Sequence, residues 1–302
     1  MSTDPLSSPA AHDIPSAVAH LVLENYVFPE QASTISELIL ARAASGGYAL
    51  IDNLAALADT LTEDLQSVNG DRHLRVLYSD EPVVDLDDPD AEMAMWASRA
   101  EKDAGGIGKV EVLSNNIGLL EVRPILYPSV LVSDKFASAM TLVADAAALI
   151  IDLRNCVGGS PDTVALICSY LFDSEPVHLN SMVDRSGLES EQSWTLAQLP
   201  GRRFGSSKPV VVLTSATTFS GGEELAYDLQ QIGRAKVVGE QTGGGANPRE
   251  GYRVHDNLEV TIPVARPVNP TSGTNWELVG VTPDVVVPSE GALERAIRLL
   301  VD

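Results

Sequence analysis

Val210-Val211-Val212-Leu213-Thr214-Ser215-Ala216-Thr217-Thr218-Phe219-Ser220-Gly221-Gly222-Glu223-Glu224-Leu225 reads as a buried strand that runs into the head of an amphipathic helix. The apolar β-branched run predicts the strand, and the small hydroxyl residues after it predict the turn. Ser220 then stands at the positive end of a helix, beside N–H groups that have no partner within that helix. Such a place suits a nucleophile and the oxyanion it creates. It equally suits a plain N-cap, with Glu223 closing a capping box.

On either side of this segment the chain alternates strand and helix. Lys109–Leu113 and Gly118–Val122 predict a hairpin about Ser114-Asn115-Asn116. Phe136–Ala147 reads as a helix, Ala148–Leu153 as a buried strand, and Asp162–Leu171 as another helix. Beyond Ser220–Ile232, Lys236–Gly239 predicts a third parallel strand and His255–Val264 further β structure. Asp284–Val287 and Glu290–Leu300 close the chain as strand and helix. Continuous apolar strands alternating with helices mean a layered α/β core.

Before the core, Val18, Leu21, Val22 and Tyr26 recur at helical spacing, as do Ile35, Leu38 and Ile39, then Leu54, Leu57 and Leu61. Pro29 and Gly46-Gly47 divide the run into three helices, a small bundle. The organisation expected is a disordered tail 1–11, a helical cap 12–79, a linker 80–106, and an α/β core 107–302. A helix is expected around Met93–Lys102. The acidic run Asp85–Glu92 lacks the Gly and terminal Glu of an ordered calcium loop and reads as solvated.

The 302 residues carry a formal net charge of −22, with 44% hydrophobic and 21% charged residues. That balance is globular, and it excludes nucleic acid and anionic membranes as natural partners, since both need Lys and Arg. Cys156 and Cys168 lack metal-ligand spacing and cannot frame a disulfide scaffold, so buried free thiols are expected. No basic and apolar leader is read in Met1–His12, no apolar run reaches membrane-spanning length, and a cytoplasmic location is expected. Nothing calls for a metal or cofactor.

Two more loops follow predicted strands. Asp152-Leu153-Arg154-Asn155-Cys156-Val157-Gly158-Gly159-Ser160 has paired glycines that let backbone N–H groups approach a ligand. A phosphate site is a rival reading, but no Gly-Lys-Ser/Thr follows; a plain strand–helix turn is the other. The second loop is Gly239-Glu240-Gln241-Thr242-Gly243-Gly244-Gly245-Ala246-Asn247-Pro248.

In that order the three motifs, with the tail Gly280-Val281-Thr282-Pro283-Asp284, resemble the tail-specific (C-terminal processing) serine peptidases. The resemblance spans about residues 14–300 and includes the tricorn-core and interphotoreceptor retinoid-binding branch. It implies a ClpP/crotonase-like core and an acyl-transfer site with Ser220 as nucleophile. The Gly221 N–H and one from Gly158-Gly159 would form the oxyanion hole, with Gly244 also at the substrate. Two features depart from the tail-specific enzymes. Gly245 stands where they keep a lysine base, and the roughly 27 residues from Asp80 to Gly106 are too few for their PDZ module.

A histidine base is therefore expected instead. His73, after Asn69-Gly70-Asp71-Arg72, matches the histidine of the tricorn-like branch, and Glu277 matches the glutamate before its Gly-x-x-Pro-Asp tail. The resemblance thus implies a Ser220–His73–Glu277 triad acting on a peptide or small-molecule acyl substrate. A retinoid- or lipid-type binding protein, or a non-proteolytic acyl hydrolase or cyclase, stays open on the same fold. So does a homo-oligomer, because related folds assemble. Glu223 and Glu224 read as helix-dipole partners, Glu240 as a brace for the glycine loop, and Trp96, Trp194 and Trp276 as pocket candidates.

Overall fold

Ala148–Asp152 and Val210–Thr214 are strands buried at every residue because both faces of their sheet are covered. The computed structural model describes residues 14–83 and 88–301; the expected tail 1–11, His12 and Asp85–Asp87 lie outside the described residues. In chain order the elements begin α1 (Ile14–Asn25), α2 (Pro29–Ala44), α3 (Leu54–Gln66), β1 (Arg75–Tyr78), α4 (Pro89–Lys102), β2 (Ile107–Leu113) and β3 (Ile117–Val122). They continue with α5 (Ser129–Val143), β4 (Ala148–Asp152), α6 (Pro161–Tyr170), β5 (His178–Asp184), β6 (Glu189–Trp194), β7 (Val210–Thr214) and α7 (Gly221–Gln231). The last are β8 (Lys236–Gly239), β9 (Arg249–His255), β10 (Leu258–Pro263), β11 (Ala265–Val268), β12 (Val285–Val286) and α8 (Ser289–Val301).

Two units divide the chain. One comprises residues 1–93, 183–189 and 247–266; the other comprises 94–182, 190–246 and 267–302. In the first, Pro29 opens α2 at a position where its missing N–H costs nothing, and Asn53 caps α3 by accepting from the Ala56 N–H at 2.8 Å. The apolar faces of these helices close on the antiparallel sheet β1–β10–β9, with Val18, Ile35, Leu61, Val76 and Val260 in one core. The expected helical bundle is present, but it shares its core with a hairpin that the sequence assigned to 107–302. Arg75 pairs with Thr261 and Tyr78 with Leu258, contacts too remote in sequence for local periodicity to show.

The second unit is built on a six-stranded sheet of order β12–β8–β7–β4–β3–β2. β3, β4, β7 and β8 run parallel, and β2 pairs antiparallel with β3 as the expected hairpin. Alternation explains the continuous apolar runs. Leu149, Ile151, Val210, Val212 and Val237 enter the core formed with α5, α6 and α7. Ala148, Ile150, Val211, Leu213 and Val238 pack on the opposite face against Ala292 and Ala296 of α8. Each Val, Leu or Ile so buried contributes about 1.5–3 kcal/mol. β5, β6 and β11 form a separate three-stranded sheet, of which β6 is polar and left no apolar signature. Among the described residues no helix is long and apolar enough to cross a membrane.

Candidate active site

Parallel pairing sets the site. Asp152 lies in register with Leu213, and Thr214 with Gly239, so the loops after β4, β7 and β8 leave the sheet along one edge. Ligand sites of open α/β sheets form at such carboxyl ends. The three loops are tied together. The Thr218 hydroxyl donates to Leu153 O at 2.9 Å, the Phe219 N–H to Cys156 O at 3.1 Å, and the Gly243 N–H to Thr218 O at 3.0 Å. Arg154 grips Asp152 through Nε (2.9 Å) and Nη2 (2.6 Å) and donates from Nη1 to Ser289 O (2.7 Å), which fastens the first loop to the start of α8.

Ser220 sits half-buried immediately before α7 with φ 51° and ψ −125°. A non-glycine residue at that φ costs on the order of 1–3 kcal/mol, and such strain collects at functional sites. The surrounding structure holds it there. The Ser220 carbonyl accepts from the Glu223 and Glu224 N–H groups at 2.8 and 2.9 Å, while its N–H donates to Glu223 Oε2 at 2.8 Å. The Gly158-Gly159 turn lies directly against it. A Cβ on Gly158 would come 2.8 Å from Ser220 Cβ and 3.3 Å from Oγ, and one on Gly221 would come 2.6 Å from Gly159 O. Only glycine admits this approach. Within the turn, Ser160 N–H goes to Leu126 O and Val157 N–H to Pro124 O, while Gly222 N–H goes to Phe219 O. Ser220, Gly158, Gly159 and Gly221 thus converge.

Glu223 does far more than complement a helix dipole. It is fully buried, and its carboxylate accepts from the Thr242 hydroxyl (2.5 Å), the Gly244 N–H (2.7 Å) and the Gly245 N–H (2.9 Å) besides the Ser220 N–H. Burial raises its pKa, while these donors pull the other way. The third loop is therefore locked onto the helix that carries Ser220. The Gly244 N–H is committed to Glu223, and its carbonyl accepts from the Leu278 N–H at 2.9 Å, so Gly244 gives shape to the loop.

Glu277 belongs to the same unit. Its Oε2 accepts from the Ala246 N–H at 2.6 Å, and the neighbouring Trp276 indole donates to Gly245 O at 2.9 Å. Trp276 is core, not pocket lining; Trp194 stacks on His178 at 4.4 Å, and Trp96 meets Tyr127 edge-on. Glu240 braces two chain segments, accepting from the Ala216 and Ser289 N–H groups, each at 3.2 Å.

His73 belongs to the first unit and is only 3% exposed. Its carbonyl accepts from the Thr261 hydroxyl at 2.5 Å and its N–H donates to Asp71 Oδ1 at 2.9 Å. Burial first, then the cations of Arg249 and Arg75, lower its pKa from 6.5 to about 3, so the ring is neutral at pH 7. Cys156 and Cys168 are buried free thiols, and burial pushes Cys156 up to about 11, which makes it inert.

Sequence reasoning missed the partners of Glu223 and a second carboxylate pair on α7. Glu224 and Asp228, one turn apart, are both buried. Asn180 donates to both Asp228 oxygens at 2.8 and 2.9 Å, and Asn269 to one at 3.2 Å. The i, i+4 spacing was visible; the burial of both carboxylates was not.

These features define a layered α/β protein with a strained serine at a helix N-terminus, set against a diglycine turn. The chain belongs to peptidase family S41, which matches residues 116–287, and residues 8–105 match the N-terminal domain of peptidase S41 in eukaryotic IRBP. It is 32% identical over 141 residues to a carboxyl-terminal-processing protease of Picosynechococcus sp., a match covering 47% of this chain and 32% of that one. The chain thus spans about a third of the length of the curated relatives it matches. Among solved structures it superposes on a lipoprotein from Streptococcus agalactiae with a TM-score of 0.65 at 15% identity, covering 97% of this chain and 96% of that one. The tricorn protease gives a TM-score of 0.62 at 15% identity, covering 98% of this chain and 37% of that one. These two likenesses concern the fold.

Proposed function

We propose that the protein is a serine hydrolase that cleaves a peptide or related acyl bond through an acyl-enzyme. The observation that carries this reading is Ser220, strained at the head of α7 against Gly158-Gly159. Ser220 Oγ attacks the substrate carbonyl carbon as His73 takes its proton. The oxyanion that forms accepts from the Gly221 and Gly159 N–H groups. The imidazolium returns the proton to the leaving group as the carbonyl–leaving-group bond breaks. Water then attacks the ester, giving its proton to His73, and His73 passes that proton to Ser220 Oγ as the bond between it and the acyl carbon breaks.

Glu277 orients the imidazole and stabilises its charged form, as the carboxylate does in other triads. The neutral state of His73 supports the assignment, since only a neutral ring can accept the serine proton. The four donors on Glu223 hold the Ser220 backbone and third loop rigid, which suits a preorganised oxyanion site. We further infer a ClpP/crotonase-like layering for the core, supported by its parallel strands covered on both faces.

A fluorophosphonate probe tests the reading. The parent protein is expected to label at one serine, Ser220→Ala to lose labelling, and His73→Ala to slow it by at least about 10³-fold. Equal labelling of parent and Ser220→Ala would sink the assignment. A parent that does not label, yet binds a fluorescent fatty acid or retinoid tightly, would move it to the ligand-binding alternative.

A further inference from the structure

Within the first unit one buried carboxylate is aimed at the histidine turn. Asp71 is 2% exposed, and its Oδ1 accepts the His73 backbone N–H at 2.9 Å. Its Oδ2 accepts the Tyr26 hydroxyl at 3.0 Å and the Asn247 side-chain amide at 3.4 Å. One of its oxygens lies within 4.8 Å of a His73 ring nitrogen. All of the named partners donate, so the pocket is arranged for the ionised acid. Tyr26 is held in turn, since its oxygen accepts from Asn69 Nδ2 at 2.6 Å and the same amide donates to Gln31 Oε1 of α2 at 2.7 Å.

The charges around the ring show what this is for. Arg75 on β1 and Arg249 on β9 both disfavour a protonated His73, and Glu259 on β10 sits 3.6 Å from Arg249. A base in the field of two guanidinium groups resists the proton it must accept. A fixed negative charge beside the ring offsets that resistance.

We propose that Asp71 is a positioning residue for His73: it pins the turn through the backbone N–H and adds, to the charge assigned above to Glu277, a second negative charge that favours the imidazolium. This rests on the reading of His73 as the base for Ser220. Its predictions differ from those of a structural aspartate, because they concern protonation. Burial raises the Asp71 pKa and the Tyr26 hydroxyl holds it down, so removing that hydroxyl makes the acid easier to protonate.

The test is the second-order rate of fluorophosphonate inactivation from pH 4 to 9, with folding followed by circular dichroism. Asp71→Asn keeps the acceptor for the His73 N–H but removes the charge. It is expected to slow inactivation on the order of 100-fold at pH 7. Tyr26→Phe leaves the carboxylate in place and is expected to move the acid limb of the profile to higher pH, with a nearly unchanged plateau. Ser220→Ala and His73→Ala run beside them. If these two abolish and slow labelling while Asp71→Asn reacts at the parent rate and Tyr26→Phe keeps the parent profile, the Asp71 role is overturned and the base assignment stands. If His73→Ala labels as the parent does, the base assignment fails and takes the Asp71 role with it.

Discussion

Neutralising one buried carboxyl on α7 is expected to stabilise the protein at alkaline pH and leave it unchanged in acid. Burial raises the Glu224 pKa from 4.5 to about 7 and pushes Asp228 up as well, each helped by a nearby carboxylate. The Asn180 amide acts to lower Glu224 as well as Asp228, but only Asp228 also accepts from Asn269, which favours the charge there and leaves the pair's proton on Glu224. Asp162 adds negative potential from α6. Among the described residues, Glu224 Oε1 has no hydrogen-bond partner.

A carboxyl whose folded pKa lies above its unfolded one keeps its proton longer in the native state. The stability it confers is complete below about pH 4.5 and is lost as pH rises through about 7. The loss amounts to about 3 kcal/mol by pH 8, at 1.36 kcal/mol for each pH unit of the window. His73, lowered to about 3, acts in the opposite sense, its contribution fading as pH falls below 6.5. The parent curve is therefore a compromise, and the difference from a variant isolates one group. Glu224→Gln keeps the shape of the protonated acid. Urea unfolding at pH 4.5, 6, 7 and 8 is expected to give equal stability at pH 4.5 and a growing advantage above it. At pH 8 that advantage corresponds to a melting temperature higher by roughly 6–12 °C. Parallel curves for parent and variant across the range would refute the reasoning, for the proton would then not reside on Glu224.

Two further substitutions probe the serine's surroundings. Gly158→Ala should slow fluorophosphonate labelling by at least about 100-fold, because its Cβ would meet Ser220 at 2.8 Å from a φ of +124°; a variant that labels at the parent rate would contradict the packing described. Glu223→Ala leaves the Ser220, Gly244 and Gly245 N–H groups buried without their acceptor and should cost about 3–5 kcal/mol in denaturant unfolding. A loss under about 1 kcal/mol would mean that water replaces the carboxylate.

The layered core was legible because its signals are local. β4 and β7 are five-residue runs of buried side chains, and such runs between helices have few other meanings. Ser220 was legible for the same reason: a hydroxyl at a helix head is recorded within a few residues. The polar strand β6 left no such mark, and the hairpin β9–β10 looked like part of the core although it pairs with β1.

By itself, then, the sequence determined the parallel α/β core, the three helices ahead of it, the loop that carries Ser220 and the glycines that face it. Each is written in periodicity, in apolar runs or in residues that only certain backbone angles admit. Tertiary structure alone decided what the buried carboxylates do. Glu223 reads as a dipole partner until Thr242, Gly244 and Gly245 arrive from a loop some twenty residues away. Glu224 reads as a helix-dipole partner until folding buries it beside Asp228, over which Asn180 and Asn269 close. Asp71 is a turn residue until Tyr26 and Asn247 turn it toward His73. The physical reason is common to all three. A charge takes its properties from desolvation and from the donors around it, and those come from parts of the chain that only folding brings together.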